Sequence, residues 1–91
     1  MIPSVGRTVH VKIDQSQAAE INRRRAQGEG RFGNEAKEGD VLPMEIVRVW
    51  NTDPGSCCVN GQLKVDGNFV LWVTSVMQGT ELGQWFEPPR V

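Results

Sequence analysis

Apolar and polar residues alternate in the first clear segment of the chain, Arg7-Thr8-Val9-His10-Val11-Lys12-Ile13. Val9, Val11 and Ile13 fall on one side, and Thr8, His10 and Lys12 on the other. That period of two marks a half-buried strand, and the β-branched residues suit it. The pattern then changes. Asp14 can accept from the unpaired N–H groups of a first helical turn, with Gln17 three residues on, as in a capping box. Residues 15–26 are rich in Ala, Gln, Glu and Arg, which favour helix, and Glu20 precedes Arg24 by four. The apolar stripe is thin, Ala18 and Ile21 with Ala19 and Ala26 beside them. A helix so patterned lies on a domain rather than through it. Arg23, Arg24 and Arg25 complement the dipole at its end, and Gly28 is a natural stop.

Residues 27–39 carry Gly28, Gly30, Gly33 and Gly39 among charges, with Phe32 the one large apolar anchor, and read as a flexible loop. Residues 41–50 form the longest strand candidate. Pro43 cannot donate to a ladder, so the early part of that strand lies at an edge or holds a bulge. Asn51-Thr52-Asp53-Pro54-Gly55 is a turn. Residues 58–65 put Val59, Leu63 and Val65 on one face and Asn60, Gln62 and Lys64 on the other. Asp66-Gly67 is a hairpin signal. Residues 69–76 are apolar on both faces, which predicts a central strand covered twice. Residues 79–83 form a loop, and Trp85-Phe86 leads into Glu87-Pro88-Pro89-Arg90, held extended by its prolines. The sum is a single, mainly β domain over residues 1–91 with one short helix at about residues 15–26. The expected architecture is a small SH3-like barrel or a bent antiparallel sheet of four or five strands.

Composition narrows the function classes. The 91 residues support one core. A net charge of −1 lacks the basic surplus that phosphate neutralisation gives a dedicated nucleic-acid binder. No apolar stretch is long enough to span a membrane. Met1-Ile2-Pro3-Ser4-Val5-Gly6 has neither the basic start nor the apolar core of a secretory signal, so a cytoplasmic location is expected. Cys57 and Cys58 are neighbours that point to opposite sides, and a bridge between them would be strained. Two reduced thiols are expected.

Catalytic sets are lacking. His10 is the sole histidine and its parity turns it outward. No nucleophile, base and orienting group can be assembled around it. One histidine, two adjacent cysteines and acids scattered at turns (Asp40, Asp53, Asp66) do not make a metal set. Gly28-Glu29-Gly30-Arg31-Phe32-Gly33 has the glycine spacing of a dinucleotide fingerprint, but it follows a helix instead of a strand. A non-enzymatic protein without cofactor is expected.

Two features point to binding. Asn22-Arg23-Arg24-Arg25, with Arg31 nearby, offers more guanidinium forks than Glu20 can pair, and such forks hold phosphate bidentately. Trp50, Trp72 and Trp85 can stack a base or anchor a partner. Each feature also has a plain structural role, helix-end charge for the arginines and core packing for the tryptophans.

Several stretches carry a resemblance: Val5-Gly6-Arg7, Val9-His10, Ile21-Asn22-Arg23-Arg24-Arg25, Gly33-Asn34, Ile46-Val47-Arg48-Val49-Trp50, Asp66-Gly67-Asn68, Trp72-Val73-Thr74-Ser75 and Gly83-Gln84-Trp85-Phe86-Glu87-Pro88-Pro89-Arg90. Together they resemble a family of small tailed-phage and prophage proteins over almost the whole chain. Similar proteins often have a longer segment between the arginines and the Gly-Asn pair, which supports reading that segment as a loop. The resemblance implies phage origin and action in the cytoplasm of a bacterial host, and it brings no activity with it.

The leading expectation is a phage accessory protein that sequesters a small anionic ligand, such as a nucleotide signal of host anti-phage defence. Asn22, Arg23, Arg24, Arg25 and Arg90 would meet phosphate, Trp72 or Trp85 a base, and Asn34, Thr74 and Ser75 polar groups. A pocket shared between copies in a homo-oligomer would suit so small a chain. The alternatives are a protein-binding inhibitor of a host enzyme anchored by the tryptophans and the tail, a nucleic-acid-binding module, and a virion or assembly component.

Overall fold

The computed structural model describes residues 2–27, 33–67 and 69–89. Its elements run β1 (Thr8–Lys12), α1 (Gln15–Ala26), β2 (Val41–Val49), β3 (Cys58–Lys64), β4 (Val70–Met77) and β5 (Gln84–Phe86). The strands form one antiparallel sheet in the order β4-β3-β2-β1-β5. The sheet curls into a half-barrel, and a bridge between Gln78 and Trp85 brings its two ends together. The expected mainly β class, the bent antiparallel sheet and the helix after the first strand all stand.

Alternation decides which face is buried. Val9 and Val11 of β1, with Ile13, are fully buried, and they meet Met44 and Ile46 of β2, Val59 and Leu63 of β3, Leu71, Val73 and Val76 of β4, and Trp85 of β5. Burying these side chains is the main favourable term in folding, at roughly 1.5–3 kcal/mol for each large one. Gly61 sits in this inner face, where an added Cβ would fall 2.4 Å from Met44 Cγ and 2.9 Å from the Glu45 carbonyl oxygen. The close approach of β3 to β2 therefore needs a residue without a side chain.

The helix begins as the sequence predicts. Asp14 accepts from the Gln17 amide at 2.7 Å, and the Gln17 side chain accepts from the Asp14 amide at 2.9 Å. Ala18 and Ile21 are its buried residues, so α1 covers one end of the half-barrel with a narrow stripe. Pro43 lies opposite His10 of β1, and pairing with β3 starts only at Met44, so the proline occupies a one-sided stretch of β2. A bulge follows at Val47, between Ile46 and Arg48.

One expectation is corrected. β4 is not a central strand covered on both faces: it lies at the end of the sheet, and Val70, Trp72 and Met77 are exposed. Apolar residues on both faces of a strand fit double coverage and a one-sided strand with an exposed apolar face equally well, and strand order decides between them. Cys57 is buried, Cys58 half-buried, and both are free thiols. Gly28, Gly30, Arg31 and Phe32 of the predicted loop lie outside the described residues, as does Arg90.

Candidate functional site

The sequence-predicted residues separate into three places. The first is a corner where α1, residues 33–37 and the β3–β4 hairpin meet. Asn22 Nδ2 donates to the Ala36 carbonyl at 2.8 Å, and Asn22 Oδ1 accepts from the Ala36 amide at 2.9 Å. Arg25 donates to the Gly33 carbonyl at 2.8 Å. The Asn34 amide donates to the Asp66 carbonyl at 3.2 Å, and Asn34 Nδ2 to the Asp66 carboxylate at 2.6 Å. The Arg24 guanidinium lies over the Phe69 ring, 4.9 Å from its centroid, a favourable cation–π placement. Asn22, Arg24, Arg25 and Asn34 are thus brought together, and their bonds tie one chain segment to another.

Gly33 shows how tight that corner is. Its φ is +101°, and a Cβ would sit 1.7 Å from the Asp66 carbonyl oxygen. Only glycine allows this conformation and this approach. Arg23 points the other way and forms a two-pronged pair with Glu20, one contact at 3.0 Å, and also donates to Gln27 at 3.1 Å. The hydrogen bond and charge of Arg23 hold the Glu20 carboxyl below its ordinary pKa. An open groove of about 360 Å³ beside the corner is lined by Asn22, Arg25, Ala26 and Glu35. Arg25 Nε is buried there without a hydrogen-bond partner.

The second place is the core. Trp85 is fully buried, and its Nε1 donates to the Cys57 carbonyl at 3.0 Å. It has no surface to offer a ligand. Burial leaves an indole N–H needing a partner, and the carbonyl meets that need.

The third place is the outward face of β2, β3 and β4. Register sets Trp72 opposite Gln62, Gln62 opposite Glu45, and Glu45 opposite Thr8, a row across four strands. Met77 lies opposite Cys58, and Trp50 donates its amide to the Cys58 carbonyl. Trp72 is 58% exposed and Trp50 53%, with Val47, Val70 and Met77 also exposed. Asn60 sits between the tryptophans and is only 8% exposed. Its Oδ1 accepts from Trp50 Nε1 at 2.9 Å and from the Ser75 amide at 2.8 Å. Among the described residues, Ser75 is the non-glycine residue with positive φ, +53°. Thr74 and Ser75 together face Asn60 across a bulge, which aims backbone toward the asparagine and holds a conformation that ordinarily costs about 1–3 kcal/mol. Arg48 lies over the Trp50 ring at 4.2 Å and so fixes the indole from its outer side.

Trp72, Thr74 and Ser75 were picked out by the sequence, and all three belong to this face. Asn60 and Arg48 were missed. Asn60-Gly61 inside a strand is poor strand sequence, and that was the available signal of a bulge and a specific polar contact. His10 is half-buried with its ring edge-on to Phe86, at 5.8 Å. Among the described residues no cluster of three or more His, Cys, Asp or Glu could hold a metal ion, and no helix is long and apolar enough to cross a membrane.

Comparison with protein-family models, with curated proteins and with solved structures finds no match for this chain.

Proposed function

We propose that this chain is a binding module that docks a protein partner on the outward face of β2, β3 and β4. The observation that carries the reading is the pair Trp50 and Trp72, each more than half exposed on one face of a sheet whose other face is packed. Single exposed apolar residues are ordinary, but two tryptophans with Val47, Val70 and Met77 form a grouping that marks interaction surfaces. Tryptophan and arginine are the residue types that dominate interface energies, and here Arg48 stacks on Trp50. Glu45 and Lys64, 3.7 Å apart, supply mixed charge on the same face. The fitting partner surface is apolar at its centre, able to receive two indoles, and mixed in charge around them. In the phage setting that the resemblance implies, the partner is a protein of the bacterial host and the site of action its cytoplasm.

The test is affinity capture from host lysate, followed by titration of the captured protein. Trp50→Ala and Trp72→Ala are each expected to weaken it by about tenfold or more, with Arg23→Ala unchanged. Equal capture by wild type and both folded tryptophan variants would overturn the reading.

A second reading, sequestration of a small anionic ligand, draws on the groove that Asn22 and Arg25 line together. It has less support, because both side chains already bond the backbone of residues 33–36 and Glu35 brings a carboxylate to the same groove. Thermal-shift screening with cyclic and ADP-ribose-type nucleotides tests it. Stabilisation that disappears in Arg25→Ala would move the function from the sheet face to this corner.

A further inference from the structure

The sheet has two ends, and they are finished differently. β5 is three residues long and runs into Pro88 and Pro89. Shortness and prolines are the usual means of keeping a strand edge from pairing with another chain. β4 is eight residues long, Val70-Leu71-Trp72-Val73-Thr74-Ser75-Val76-Met77, with no charge and no proline. Among the described residues it pairs with β3 on one side, and β5 lies near its last residues and bridges the chain just beyond them, at Gln78. The bulge at Thr74 and Ser75 twists its second half, but Val70, Leu71, Trp72 and Val73 keep unbroken register with Lys64, Leu63, Gln62 and Gly61.

We infer that the β4 edge pairs antiparallel with β4 of a second copy of this chain, about a two-fold axis at Trp72. A self-pairing edge must be complementary to itself, with residue i opposite j and j opposite i. An uncharged strand satisfies that without like charges meeting. The axis belongs at Trp72 because this residue is the middle of the outward-facing set Val70, Trp72 and Thr74. Trp72 then meets its own copy, a cross-strand aromatic pair, and Val70 lies opposite Thr74 of the second copy. The two half-barrels share one continuous sheet, and their outward faces join into a single surface with the two Trp72 rings at its centre. The inference stands on the edge of the sheet, and the partner proposed for the face is a separate matter.

Light scattering coupled to size exclusion, from about 1 to about 300 µM, is expected to show the mass rising from one chain toward two. V70K/T74K places a cation opposite a cation twice across the axis and is expected to weaken the dimer at least about tenfold. V70K/T74E places a cation opposite an anion twice and is expected to restore it to within about threefold of wild type. Circular dichroism checks that both variants fold. Trp50→Ala lies away from the edge and leaves the dimer intact, so loss of partner capture in that variant is distinguishable from loss of self-pairing. A wild-type chain that stays monomeric throughout, as it would if the edge serves a strand of another protein, overturns the inference. So does a V70K/T74K dimer as tight as wild type, or a V70K/T74E dimer as weak as V70K/T74K.

Discussion

The corner beneath the helix and the outward face of the sheet both hold side chains of the kind that bind ligands, and they use them in opposite ways. In the corner, Asn22, Arg25 and Asn34 spend their hydrogen bonds on backbone and hairpin groups of the same chain. A hydrogen bond of this kind is worth about 0.5–1.5 kcal/mol net, and more is lost where a buried partner is left unsatisfied. On the sheet face, the polar groups serve to aim apolar ones. Asn60 holds the Trp50 indole by its N–H and Ser75 by its backbone, while Trp50 and Trp72 each stay more than half exposed. A guanidinium committed to a loop carbonyl is mainly structural, whereas an indole whose N–H is satisfied and whose ring is exposed is prepared for contact. Residue type does not separate these roles, but the destination of each polar atom does.

The comparison breaks most severely at the third tryptophan. Trp85→Ala removes a fully buried side chain and one of the two donors to the Cys57 carbonyl, which keeps the Gln78 amide. The expected loss is about 3–5 kcal/mol, enough to unfold a domain of this size at moderate temperature. Chemical denaturation measures it. Trp72→Ala, on the exposed face, should change stability by less than about 1 kcal/mol. If the two variants were equally destabilised, the division between a core tryptophan and a contact tryptophan would fail.

Next in size is Gly33→Ala. The substitution forces a side chain into the Asp66 carbonyl and requires a positive φ that alanine resists. The loop must leave the hairpin, taking the Arg25–Gly33 and Asn34–Asp66 bonds with it. A loss of about 2–3 kcal/mol is expected, with hydrogen exchange rising at Asn34 and Ala36 and unchanged in β1 to β3. An unaltered exchange pattern would mean that the corner is not the clamp described.

How far the sequence reaches can be seen in the same residues. The strand at Val9, Val11 and Ile13 and the helix cap at Asp14 and Gln17 are local patterns, and they were legible because each depends on neighbours two to four residues away. The exposure of Trp72 and the burial of Trp85 are not local. They follow from β4 ending the sheet and β5 crossing back to Gln78, and no window of sequence holds that information. Asn60 appears in sequence as one more polar residue on an outward face. Its burial comes from Trp50, ten residues before it, and Ser75, fifteen after, converging on one oxygen. Of the three arginines, Arg23 bonds locally, to Glu20 and Gln27, whereas Arg25 and Arg24 reach residues 33 and 69 across the fold.

The smallest expected effect concerns the arginine that faces away from the corner. Arg23 lowers the Glu20 pKa, first through its hydrogen bond to the carboxylate and then through its charge. A carboxyl group held below its ordinary value in the folded state stabilises that state when ionised. The contribution is complete above the unfolded-state value and is lost as pH falls through the depressed one. Glu20→Gln should therefore differ from wild type slightly at neutral pH, and the difference should close in acid. Because Glu20 is solvent-exposed, salt should shrink the difference as well. Thermal unfolding of the two proteins at neutral and acidic pH, at low and high salt, measures it. A large loss at neutral pH that persists in acid would mean that Glu20 and Arg23 belong with the residues that clamp the corner, and that the corner extends around the helix to its solvent side.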